Sequence, residues 1–327
     1  MRKILYWFCL SLIAGSVTAQ INESVFQSAA AIDSSSVGEL RFELDNVNFF
    51  KDDEFVGGFQ KGYTLPGFWI QPKLVYFPLK NIKVELGAHL LHYCGAKKYP
   101  CYAYHDIAKW SGSQYHKGFH ALPWFRTQVD FSRRFSLVLG DIYGAANHQL
   151  IEPLYNPEMN LMADPEAGVQ LLYNSSRFFL DVWVNWQSFI FREDTHQEAF
   201  IIGLSSKINL NDPSAKVNVY LPVQLMAQHR GGEIDTIYTN SVQTLMNGAL
   251  GLGAVWNTGH SLVNKVGIEA DAAFSYQQAG HLWPFDTGWG TYLRMYADCR
   301  RLRVKAAYWQ CKKFVSLTGS PFYNAIS

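Results

Sequence analysis

Among the ionisable side chains of this 327-residue sequence, ten histidines are the ones suited to proton transfer near neutral pH. His92, His105, His116, His120, His148, His196, His229 and His281 fall in or beside the longer stretches between hydrophobic segments. Asp141 and Asp235 lie a few residues from His148 and His229. Asp141, His148, His229 and Asp235 are therefore candidates for carboxylate–imidazole chemistry. A loop histidine is more often a solvated surface residue, and nothing in the spacing of these four singles them out. The chain has no G-x-S-x-G, H-E-x-x-H or G-x-x-x-x-G-K-[ST], so it shows no nucleophile elbow, zinc helix or phosphate loop. Cys94 and Cys101 bracket the short run CGAKKYPC. They could close a disulfide in an oxidising compartment, and two free loop thiols are an equal alternative. No metal or cofactor is expected.

A second group of polar residues is defined by parity. In residues 216–226 (KVNVYLPVQLM), Val217, Val219, Leu221, Val223 and Leu225 share one face, and the polar residues take the other. Strict alternation of this kind is a strand signal. It repeats in 82–93, 178–187 and 266–277. Weaker copies occur at 40–46, 68–77, 119–131, 135–142, 167–173, 198–210, 246–256, 291–299 and 302–310. Many of the thirteen segments reach about ten residues, the length a tilted membrane strand needs and longer than the usual soluble strand. On the face opposite the apolar row lie Arg126, Asp130, Lys216, Glu269, Asp271, Arg294 and Asp298, among others. In a closed barrel these line the lumen, and Arg126/Asp130 and Arg294/Asp298 could form a charged constriction. The run GALGLG at 248–253 sits inside a strand pattern, where small residues let a neighbouring side chain come close.

Residues 1–19 have a basic start at Arg2 and Lys3, a short apolar core and the small-residue ending Val17-Thr18-Ala19, the layout of a secretory signal peptide. Residues 20–327 then form one domain. The composition is 48% hydrophobic, 15% aromatic and only 17% charged, with a formal charge of +1. That excludes disorder and gives no global attraction to nucleic acid. Nothing after the signal is an unbroken apolar run long enough for a spanning helix. Short turns (78–81, 132–134, 174–176, 211–214, 257–264, 300–301) alternate with long connections (47–67, 94–118, 143–166, 188–197, 227–245, 278–290). Tyr76, Phe131, Phe135, Tyr173, Phe178 and Trp256 flank the short turns. Both features fit a transmembrane antiparallel up-and-down β-barrel. Bacterial single-chain barrels have even strand numbers, so about fourteen strands are expected, with a C-terminal closing strand beyond the thirteen counted.

These patterns, with the stretch GDIYGAANHQLIEPLYNPEMNLMADPEAGVQ at 140–170, resemble a porin-like outer-membrane β-barrel protein of the Bacteroidota. The resemblance implies location in the cell outer membrane, contact with outer-membrane lipid, a homo-oligomer as one arrangement, and passive passage of small polar solutes without enzymatic activity. Two alternatives stay open. One is an outer-membrane enzyme with its site at the extracellular rim. The other is a binding or adhesion scaffold using the aromatic loop residues Tyr99, Tyr102, Tyr104, Trp110 and Tyr115. A clear lumen favours the channel, converging Asp and His groups favour the enzyme, and a loop-filled lumen favours the scaffold.

Overall fold

The computed structural model describes residues 25–28, 30–56, 61–94, 120–191, 197–232, 242–300 and 302–325. The alternating segments form β1 Leu40–Val56, β2 Lys61–Leu79, β3 Ile82–Tyr93, β4 His120–Asp130, β5 Phe135–Asp141, β6 Ala167–Asn174 and β7 Phe178–Ser188. They continue as β8 Ala199–Asn209, β9 Val217–Arg230, β10 Gln243–Asn257, β11 Lys265–Ala279, β12 Thr287–Cys299 and β13 Leu302–Lys312. Each strand pairs antiparallel with its neighbour in sequence, in one sheet ordered β1 to β13. Among the described residues β1 and β13 are its two edges. Every described connection between consecutive strands is a hairpin, the up-and-down topology of an outer-membrane β-barrel.

Parity decides which face each residue takes. Along β9 the row Asn218, Tyr220, Gln224, Gln228 and Arg230 is buried, while Val217 and Leu225 are exposed. On β11, Gly267, Glu269, Asp271, Ala273, Ser275 and Gln277 point inward, and Ile268, Phe274 and Tyr276 point outward. The outward face of these strands is thus mainly apolar, as lipid requires. The aromatic residues beside the short turns are on it: Phe131 stacks on Phe135 with ring centroids 5.6 Å apart, and Tyr173 meets Phe178 at 5.8 Å.

The structure corrects two loop expectations. The stretch 47–67 is not a long connection. β1 and β2 run on through it, with Phe49 and Phe50 opposite Gly67 and Pro66, so backbone pairing wins where strand-forming residues continue on both sides. The stretch 143–166 does not stand outside the barrel but folds into the lumen. It carries too many apolar residues to stay in water. Ile151 and Leu154 pack against Trp183, Ile201, Met226, Tyr292 and Phe314, while Leu161 and Met162 pack against Leu65, Leu91 and Tyr93. The insert therefore fills part of the lumen with a packed core. The signal segment 1–19, Cys101 (and with it the Cys94–Cys101 pairing), Asp235 and the aromatic residues of 99–115 lie outside the described residues.

Candidate active site

Amide side chains on the barrel wall fix the insert by binding its backbone on both sides. Gln170 of β6 accepts from Tyr143 N at 2.9 Å and donates to Tyr143 O at 3.0 Å. Gln224 of β9 accepts from Ile151 N at 2.9 Å and donates to Gln149 O at 3.0 Å. Asn247 of β10 treats the C-terminal segment the same way, donating to Val315 O at 2.9 Å and accepting from Leu317 N at 2.5 Å. That segment in turn holds the insert: Ser316 donates to Pro153 O at 2.6 Å, and Tyr323 donates to Glu152 at 2.7 Å. A buried backbone needs partners of this kind. The inward polar face thus recognises a packed segment.

Arg126 starts the insert. It is buried, and its guanidinium donates to Asp141 O at 2.6 Å and Ile142 O at 2.9 Å while lying 4.0 Å over the Tyr143 ring. Asp141 accepts from Phe125 N at 2.6 Å, so its carboxylate closes the β4–β5 hairpin. The chain then enters a 3-10 turn at Ala145–His148, between Ala145 and Gln149, both with φ of 55°.

The turn delivers His148 to the wall. Its ring stacks on Trp183 of β7, with centroids 3.6 Å apart and planes 12° from parallel. Trp183 lies flat because Gly203 stands opposite it on β8; a Cβ there would sit 2.1 Å from the indole. His148 Nδ1 is 2.7 Å from Asp181 Oδ2, and Nε2 is 3.2 Å from Glu166 Oε2. Asp181 is itself oriented by Gln170, 2.9 Å away, and Glu166 accepts from Ala145 N at 2.8 Å. Burial alone would disfavour the imidazolium, but the Glu166 and Asp181 carboxylates outweigh it and push the His148 pKa up to about 9. Burial likewise opposes the Glu166 charge, yet His148 holds that carboxyl below its ordinary value. At neutral pH His148 is a cation between two anions, with one nitrogen firmly held and the other more loosely.

A cavity of about 790 Å³ opens beside this cluster, lined by His148, Glu166, Trp183, Tyr143, Lys83 and Trp124 among others. Towards the outer rim it is lined by Asp164, whose Oδ1 lies 2.6 Å from His120 Nε2, and by His89, whose Nδ1 lies 2.9 Å from Gln71. Among the described residues no group of three or more His, Cys, Asp or Glu side chains is arranged to hold a metal ion.

Of the residues singled out by sequence, His148 is at this centre. Asp141 and Arg126 support its entry. His229 faces away from the lumen, 3.1 Å from Thr244 Oγ1 and against Phe200. The i, i+4 charges do not pair with each other. Arg126 is 3.5 Å from Glu85, and Arg294 is 2.5 Å from Glu269. Asp298 pairs with Arg303 at 2.5 Å, and Asp130 accepts from Gln128 and Ser136 at 2.8 and 2.7 Å. Asp271 is buried on the inward face, and Lys216 is exposed at a short turn. Sequence reasoning missed the partners Asp181 and Glu166. Only strand parity, which turns Asp181 inward, hinted at them.

Fold and site together define an outer-membrane β-barrel with a buried, charged histidine centre, in contact with membrane lipid on its apolar face. The chain belongs to the lipid A 3'-O-deacylase-type family, whose model matches residues 32–327. No curated protein matches the chain. Among solved structures it is similar to a loop L8 deletion mutant of OmpT, an outer membrane protein of Vibrio cholerae, with 9% identity and a TM-score of 0.34 over 84% of this chain and 94% of that one. It is also similar to the trimer form of in-vitro folded OmpT from Vibrio cholerae, with 9% identity and a TM-score of 0.31 over 84% and 89%. Membership in a family named for an enzymatic activity overturns the expectation of a porin-like passive channel for small polar solutes with no enzymatic role. The packed insert agrees with the correction. The barrel and its outer-membrane location stand.

Proposed function

We propose that this protein is an outer-membrane hydrolase that removes an ester-linked acyl chain from a lipid A-type glycolipid, with His148 at its centre. The observation that carries the reading is the His148–Asp181–Glu166 cluster, stacked on Trp183 and opening on the large cavity. Glu166, beside His148 Nε2 on the cavity wall, is placed to take a proton from an attacking water, and this reading makes water the nucleophile. Asp181 holds Nδ1 and fixes the ring. The looser Nε2–Glu166 contact is the one that substrate replaces. The imidazolium then faces the ester oxygen, and Glu166 faces the attacking water. Water oxygen bonds to the carbonyl carbon and one water proton passes to Glu166. The C–O bond to the sugar breaks, and the sugar oxygen takes the Nε2 proton. Glu166 returns its proton to His148, leaving a free fatty acid and an alcohol.

The His120–Asp164 pair favours a second reading in which that dyad is the working centre, because its Asp164 lines the same cavity closer to the rim. Comparing His148→Gln with His120→Gln on an acylated lipid A substrate decides between them. Loss in the first and near-normal turnover in the second supports the His148 centre, and the reverse removes it.

A further inference from the structure

At the short-turn end of the lumen, below the insert, lies a second cavity of about 220 Å³. It shares only Gln27 and Leu150 with the upper cavity's lining. Its floor is built around glycines. Gly253 of β10 stands between Tyr220 of β9 and Glu269 of β11. A Cβ at Gly253 would sit 2.2 Å from the Tyr220 ring, so only glycine lets the phenol lie across the strand and donate to Glu269 at 2.5 Å. Gly267 plays the same part for Tyr296, again at 2.2 Å. This accounts for Gly253, the last glycine of the run in β10, which the proposed deacylation does not use.

The charges around these rings do not balance. Glu269 accepts from both Tyr220 and Arg294, the latter at 2.5 Å. Asp298 is engaged by the Arg303 guanidinium, which lies 4.6 Å from the Tyr296 ring. Lys207 of β8 rests its ammonium 3.9 Å over the Tyr220 ring. It has no hydrogen bond or ion pair among the described residues. Asp271 sits one inward position along β11 from Glu269, buried and not lining the cavity. Lys207, Arg294, Arg303 and Lys305 thus line a half-enclosed space whose two lining carboxylates are both engaged, Glu269 by Tyr220 and Arg294 and Glu152 by Tyr323. A partly desolvated cation held over a tyrosine face, next to an arginine fork, matches a compact oxyanion.

We propose that this cavity is a binding site for a phosphate-type anion, free or carried on a lipid headgroup, entering from the short-turn side. The volume is below that of a drug-sized pocket and suits a phosphate with a small substituent. The site is separate from the His148 centre and does not rest on the deacylase reading.

The test is calorimetric titration of the full chain in zwitterionic detergent with inorganic phosphate, and in parallel with short-chain phosphatidic acid. Saturable binding that weakens with added salt and drops about tenfold or more in Lys207→Gln supports the site. Binding of phosphate identifies a free ion, and binding of phosphatidic acid alone identifies a headgroup. Arg294→Gln strands Glu269 and threatens folding, so the paired variant Glu269→Gln/Arg294→Gln is used, with heat-modifiable gel migration reporting the folded barrel. No saturable heat with either probe, or unchanged affinity in a folded Lys207→Gln protein, overturns the proposal.

Discussion

The two ends of this lumen share β7, β8 and β9 in their walls yet hold opposite charge arrangements. Above, one imidazolium is shared by two carboxylates, Asp181 and Glu166. Below, one carboxylate, Glu269, serves Arg294 and Tyr220 while Lys207 faces open space. The upper cluster is closed on itself and suited to moving protons. The lower one carries surplus positive charge and suits an anion. The insert makes the difference, because it brings His148 and Glu166 to the upper wall and meets the lower cavity with Gln149, Leu150 and Glu152. In both places a glycine gives the ring its room: Gly203 under Trp183, Gly253 under Tyr220.

The largest effect is expected from His148→Gln. Removing the proton donor should lower deacylation by about a hundredfold or more while the barrel still folds, as measured by release of fatty acid from lipid A. Retained turnover would break the assignment of the upper end. Next in size is Glu166→Gln. Deacylation should fall, and its pH profile should move. In the unmodified protein His148 must be charged, so activity declines as pH rises through about 9. Without Glu166 the decline shifts down toward the ordinary histidine range near 6.5. A profile that rises through pH 9 would make His148 a base and overturn the proton assignment.

Glycine variants compare the two ends directly. Gly203→Ala should cost about 1–3 kcal/mol of stability by overpacking and displace the Trp183 ring under His148, lowering deacylation. Gly253→Ala should cost a similar amount but act at the lower end, displacing the Tyr220 ring from Glu269. Thermal unfolding with an activity assay separates them. The smallest effect is on stability against pH. Because the folded His148 holds its proton up to about 9, its contribution is complete below about pH 6.5 and is lost as pH rises through about 9. The melting temperature should fall modestly between pH 7 and 10, and the fall should shrink in His148→Gln.

Much of this fold is legible in the sequence. Period-two alternation locates the thirteen strands and, in β9 and β11, which residues face inward, because a strand between lipid and a packed lumen has two different environments. The same pattern misjudges what the inward face meets. Gln170, Gln224 and Asn247 bind the backbone of segments far away in sequence. Alternation carries no information on such contacts. The insert reads as a long connection, although Leu150, Ile151, Leu154, Leu161 and Met162 give it more apolar surface than an exposed loop can carry. His148 was visible as a candidate. Its partners were not, because Asp181 is 33 residues away on a strand and Glu166 closes the same insert 18 residues on.

Lipid A bearing an ester-linked acyl chain at the 3' position, incubated with the purified full chain and weighed by mass spectrometry, tests the assignment most directly. Lipid A should lose the mass of that one acyl chain, with the matching fatty acid released, and His148→Gln should leave it intact. An unchanged lipid A mass with folded protein, or cleavage that persists in His148→Gln, would contradict it.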